Sequence, residues 1–95
     1  MAFIRIVRPQ LLTADVYDAV SRELDLEHDH PLGLISHAVG RADGFLQIVE
    51  IWDSEQYSQR FDRERLVPAI EAVTGSPPPD DAPTLGYPLH ALVTP

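Results

Sequence analysis

The chain has 95 residues, 44% of them hydrophobic, which suits one globular domain over residues 1–95 and not a disordered segment. Fifteen acids stand against seven arginines and no lysine, so the formal net charge is -8 and the chain repels nucleic acid and anionic membrane. The absence of cysteine removes disulfides, thiolate catalysis and cysteine metal sites.

Residues 2–8, Ala-Phe-Ile-Arg-Ile-Val-Arg, are rich in β-branched side chains and predict a strand that Pro9 ends. The start alternates and carries Arg5, unlike a signal peptide, and no apolar run approaches the roughly 18 residues of a membrane span. A cytoplasmic protein is expected. Thr13 fits an N-cap, with Asp15 in the first turn of a helix that should end near Leu26. Tyr17, Val20 and Leu24 share one face of it. The polar run Glu27-His-Asp-His-Pro31 follows.

Gly33–Arg41 predicts a second strand and Phe45–Trp52 a third, joined through Ala42-Asp43-Gly44, where Asp-Gly suits a type I′ turn. Asp53 or Ser54 should cap the next helix, and Asp53-Ser-Glu-Gln56 has capping-box spacing. Tyr57 and Phe61 lie one turn apart and should face the sheet. Pro68 predicts a kink or break, with a short second piece over Ala69–Val73 and a stop at Gly75. Ser76-Pro-Pro-Pro-Asp-Asp-Ala-Pro83 reads as a stiff, polar connector before a last strand over Thr84–Val93.

Strand, helix, strand, strand, helix, strand is an α+β order. With right-handed crossovers it gives a ferredoxin-like βαββαβ domain, a four-stranded antiparallel sheet with both helices on one face. A two-residue Asp43-Gly44 turn sets Ala42 against Phe45, hence His37 against Glu50, Val39 against Ile48 and Ile35 against Trp52. One face then carries Ile35, His37, Val39, Leu46, Ile48, Glu50 and Trp52, and the other Leu34, Ser36, Ala38, Phe45, Gln47, Val49 and Ile51. Both are largely apolar, so one belongs under the helices and the other under a partner. So small a domain also has a thin margin of stability of its own. A homodimer joined through its sheets is expected.

Gly33-x-x-x-His37, the Asp-Gly hairpin, Trp52-Asp53-Ser54 opening a helix, Phe61 and Arg65-Leu-Val-Pro68 together resemble the antibiotic biosynthesis monooxygenase-like group of dimeric α/β-barrel proteins. The resemblance covers nearly the whole chain in element order. It implies two ferredoxin-like subunits paired sheet to sheet, each with a small pocket between sheet and helices. It also implies cofactor-independent oxidation of a small apolar aromatic, of the polyketide or quinol type, with a non-catalytic ligand-binding or assembly module as the alternative. Haem degradation by that group's route uses an asparagine, and this chain has none. No glycine-rich phosphate loop marks a flavin or nicotinamide site. No cofactor is expected.

Within that frame Trp52 resembles the strand tryptophan that lines the pocket. Its ring can stack on a planar substrate and its N–H can donate to a carbonyl, or it can simply fill the core. The pair His37 and Glu50 carries the sharpest chemical expectation. A carboxylate beside an imidazole fixes the tautomer and favours the charged ring, and such a histidine can take a proton from a phenol. The same pair also reads as a satisfied buried couple or one at the dimer seam. Tyr17, Tyr57 and Phe61 supply aromatic pocket walls, or plain core. Arg65 continues the Tyr57–Phe61 stripe and can meet an anionic ligand, though it reads first as a solvated arginine. His28-Asp29-His30 has too few ligands for a metal site and reads as an exposed loop, so no metal is expected. His90 can lie at the sheet interface or on the pocket face.

Overall fold

The computed structural model describes residues 1–80 and 82–95; Asp81, in the expected connector, lies outside them. The elements run β1 (Phe3–Val7), α1 (Ala14–Leu24), β2 (Leu34–Ala42), β3 (Phe45–Trp52), α2 (Glu55–Phe61), a π-helical turn (Asp62–Leu66), α3 (Val67–Thr74) and β4 (Thr84–Pro88). The four strands form one antiparallel sheet in the order β2-β3-β1-β4. This is the ferredoxin-like arrangement, with α1 packed against α3.

Local chemistry explains most of the boundaries. Thr13 caps α1, its hydroxyl accepting from the Val16 N–H at 3.2 Å. The helix stops at Leu24, two residues earlier than expected, because Asp25 turns left-handed at φ 50° and donates its N–H to the Ser21 carbonyl. Asp43 at φ 55° and Gly44 at φ 82° make the two-residue hairpin, with Ala42 opposite Phe45.

The capping box expected at Asp53 does not form. Ser54 is the N-cap in extended backbone but makes no side-chain cap bond, and Asp53 instead donates its N–H to the Gly33 carbonyl at 2.8 Å. The irregularity expected at Pro68 is a π turn and not a break. Phe61, Asp62, Leu66 and Val67 all keep right-handed helical angles, so one helical rod runs from α2 to α3. The Val67 N–H reaches back five residues to the Asp62 carbonyl. Pro68, in the first turn of α3, is thereby placed where its missing N–H and its ring are tolerated. Gly75, at φ 78°, closes α3. The last strand ends at Pro88, short of the expected Val93. Proline cannot donate, and the partner strand begins at Phe3, directly opposite Pro88. One more bond, from the Leu89 N–H to the Ala2 carbonyl, finishes the edge.

The hairpin register holds at His37–Glu50 and Val39–Ile48, then slips. A β-bulge at Ile35 sets Leu34, not Ile35, opposite Trp52. The expectation that Ile35 shares a face with Trp52 is thus corrected. Leu34 is buried under the helices, and Ile35 is 41% exposed. The core joins Val20 and Leu24 of α1, Leu34 of β2, Trp52 of β3, Phe61 of α2 and Ala69 of α3. The face away from the helices carries Ile4, Ile6, Phe45, Val49, Ile51, Leu85 and Tyr87, by register. Among the described residues, no helix is long and apolar enough to cross a membrane.

Candidate functional site

Two lone charges sit in strands that are otherwise apolar where they face the helices: Arg5 in Phe3–Val7 and Glu50 in Phe45–Trp52. The register sets them directly opposite each other. A buried charge is tolerable only when paired and hydrogen-bonded, and here both conditions are met. Glu50 is 5% exposed and Arg5 9%. Arg5 Nε and Nη2 both donate to Glu50 Oε1, at 3.0 and 2.6 Å. The Trp52 Nε1–H adds a third bond to the same oxygen at 3.2 Å. The rest of the guanidinium grips Asp62, the first residue of the π turn, through Nη1 to Oδ2 at 2.6 Å and Nη2 to Oδ1 at 3.0 Å.

The other Glu50 oxygen, Oε2, lies 2.9 Å from His37 Nδ1, as the hairpin register predicts. On the far side of the ring, His37 Nε2 lies 2.7 Å from the Tyr17 hydroxyl. The Tyr17 and His37 rings are close to parallel, with centroids 6.2 Å apart. Burial pushes the Glu50 carboxyl up, but the His37 hydrogen bond and the Arg5 charge outweigh it and hold the group below its ordinary 4.5. Asp62 and Glu50 likewise keep the Arg5 guanidinium charged against its burial. A chain of polar contacts therefore runs Tyr17, His37, Glu50, Arg5, Asp62, from α1 across the sheet to the helical rod. Among the described residues, no buried side-chain nitrogen or oxygen is left without a partner.

The sequence-predicted residues do not all gather at this chain. Tyr17, His37 and Glu50 do. Trp52 is enclosed completely; its ring lies 5.4 Å from Phe61 at 45° and its N–H is engaged by Glu50, not free for a substrate carbonyl. Tyr57 lies over Gly33, where an added Cβ would come 2.3 Å from the tyrosine ring. A cleft of about 220 Å³ runs along Pro31, Leu32, Tyr57, Phe61 and Arg65, so two of the expected wall residues line it while His37 and Trp52 do not. A second cleft, about 210 Å³, lies between Leu24, Asp29, Arg65 and Pro68. Arg65 is not the solvated arginine expected. It donates to the Leu24 carbonyl at 2.9 Å, pairs with Asp29 and stands 5.7 Å over the Phe61 ring.

The His28-Asp29-His30 triplet is dispersed. His28 bonds Asp25, which raises its pKa; Asp29 pairs with Arg65; His30 donates to the Leu34 carbonyl at 2.8 Å. His90 is exposed beyond the end of β4. Arg5 and Asp62 were the site residues that sequence reasoning missed. The signal for Arg5 was its position, a single charge in the middle of a strand whose neighbours are all apolar.

No protein-family model matches the chain, and no curated protein sequence matches it. Solved structures do. A protein from Caulobacter crescentus described as a putative antibiotic biosynthesis monooxygenase superposes with a TM-score of 0.70 at 11% identity, over 95% of this chain and 91% of that one. A mutant form of the cofactor-independent oxygenase SnoaB from Streptomyces nogalater gives 0.59 at 11% identity, over 97% and 94%. The hydroxynitrile lyase from Passiflora edulis gives 0.59 at 13%, over 98% and 97%. The chain has the ferredoxin-like fold of the antibiotic biosynthesis monooxygenase-like structures.

Proposed function

We propose that the protein is a monooxygenase-like homodimer in which His37 takes a proton from a small apolar aromatic of the polyketide or quinol type, with no resident cofactor. The observation that carries this reading is the Tyr17–His37–Glu50 relay, an imidazole held between a carboxylate kept anionic and a phenol at the half-buried end. The substrate proton passes to the Tyr17 oxygen as the Tyr17 O–H donates to His37 Nε2, and Glu50 balances the charge on the ring. The carbanion or phenolate so formed reduces dioxygen. For an anthrone-type substrate, one oxygen atom becomes a new ring carbonyl, the other leaves as water with the two hydrogens of the oxidised carbon, and the balance is one substrate and one O2 to one quinone and one water. The fold shared with a cofactor-independent oxygenase supports the same reading.

The apolar face opposite the helices supports the dimer. Phe45 is 37% exposed, Leu85 63% and Tyr87 45%, a group of large apolar side chains on one face of the kind that a partner surface covers. A second reading, a non-catalytic dimeric module for ligand binding or assembly, is favoured by the closed state of the relay. Trp52 is fully enclosed, and Tyr17 already occupies His37 Nε2.

Oxygen uptake with a panel of anthrones and dihydroxyaromatics separates the two. The enzyme reading expects uptake matching substrate loss one to one, and a fall of roughly 10²–10⁴-fold in His37→Ala. Full turnover in His37→Ala removes the proposed base. No uptake with any member of the panel leaves the second reading.

A further inference from the structure

His37 has two ring nitrogens, and only one of them can carry the proton while the ring is neutral. Which one it is decides whether the face toward Tyr17 is a base or a donor. The groups around the ring settle the matter in a definite order. Tyr17, from α1, faces Nε2, and Glu50, from β3, faces Nδ1. Behind Glu50 stands Arg5 from β1, and behind Arg5 stands Asp62 from the helical rod. Glu50 Oε1 already receives three N–H bonds, two from Arg5 and one from Trp52. That crowd of donors leaves Oε1 no room for a proton, and with the Arg5 cation against the carboxyl keeping it anionic, Oε2 meets Nδ1 as an acceptor.

We infer that Arg5 and Asp62 are a positioning pair that fixes His37 with its proton on Nδ1 and its lone pair on Nε2, aimed at the Tyr17 hydroxyl. Arg5 acts through Glu50 and touches neither His37 nor any substrate. Asp62 acts one step further back. It takes the outer edge of the guanidinium in two bonds, so the inner edge, Nε and Nη2, is turned onto Glu50. The π turn thus has a use, since it begins at the residue that anchors the fork.

The consequence of removing Arg5 follows from charge balance. Without its cation, the buried Glu50–His37 couple takes up one more proton at neutral pH. Whether that proton settles on the carboxyl or the ring, the result at the far nitrogen is the same. Oε1 still accepts from the Trp52 N–H, so a protonated Glu50 carries its proton on Oε2, donates it to Nδ1 and drives the ring proton to Nε2. A charged ring has protons on both nitrogens. In either case Nε2 is no longer an acceptor for Tyr17.

This inference rests on the proton-relay reading for its purpose, but its test does not use turnover. Ring ¹⁵N resonances of His37, recorded on the whole protein at neutral pH, distinguish a protonated from an unprotonated nitrogen. The expected result in the unaltered chain is a protonated Nδ1 and an unprotonated Nε2; a proton on Nε2 there overturns the inference, whatever the variants do. Arg5→Met should move Nε2 to the protonated position, with a folded far-ultraviolet spectrum as control, and an unprotonated Nε2 in folded Arg5→Met also overturns it. Asp62→Ala alters a side chain that is 37% exposed and does not need the core to be rebuilt. There the Arg5 Nε–H should exchange with solvent at least tenfold faster, and unchanged exchange removes Asp62 from the pair. A protein that passes these tests yet consumes no oxygen with any substrate keeps the positioning pair and loses the oxygenase.

Discussion

The two faces of the sheet are built on opposite principles. The face under the helices buries charge: Arg5, Glu50 and half-buried His37 lie among Trp52, Leu46 and Leu34, and every buried polar atom described there is matched. The opposite face carries almost no charge and leaves Phe45, Leu85 and Tyr87 in contact with solvent. A polar network inside a core costs stability and is retained where geometry must be fixed. An apolar face outside a core is costly unless something covers it. The first face is organised around a defined set of atoms, and the second around area alone.

That contrast can be broken at its strongest point first. Phe61→Ala removes the ring that covers Trp52 and should lower unfolding stability by about 3–5 kcal/mol, seen as a large drop in denaturant midpoint. If the loss is below about 1 kcal/mol, the helix-side face is less tightly built than described. On the other face, Leu85→Arg should leave the fold intact and raise the dissociation constant of the proposed homodimer by about 100-fold, roughly 2.7 kcal/mol. Sedimentation at micromolar concentration reads it, and an unaffected dimer would place the interface elsewhere.

Acid sharpens the comparison. The folded Glu50 carboxyl titrates below its ordinary value, so its contribution is fully present above about 4.5 and is lost as pH falls through the lower folded value. Denaturation midpoints taken from neutral pH down past 4.5 should therefore fall in the acid window, and the fall should shrink in Glu50→Gln. The smallest effect belongs to neither face. Thr13→Ala removes the cap of α1 and should cost about 1 kcal/mol by the same denaturation, without touching the relay or the dimer.

The hairpin was the most legible part of the sequence because its turn is short and chemically specific. Asp43-Gly44 fixes the pairing by itself, and His37 opposite Glu50 follows from counting. Counting fails at Ile35, where an extra residue enters the strand with no glycine or proline to announce it. The same limit applies to the relay. Sequence places Tyr17 on the sheet-facing side of α1, but only the path of α1 over β2 brings its hydroxyl to His37. Asp62 was hidden for a further reason. A π turn is a matter of one extra residue in a helical rod, and Asp62-Arg-Glu-Arg-Leu66 looks like any solvated helical stretch.

The short strand β4 has one more consequence. It is an outer strand, and its free side would present unpaired N–H and C=O groups to any passing extended chain. Pro83 precedes it and Pro88 ends it, so the span with donors is only a few residues long. On this side of the sheet, a molecule with a broad apolar face is thus prevented from also offering a long open edge. Growth through the β4 edge into a fibre therefore has no template of useful length, and the longer outer strand, β2, is interrupted instead by its bulge at Ile35.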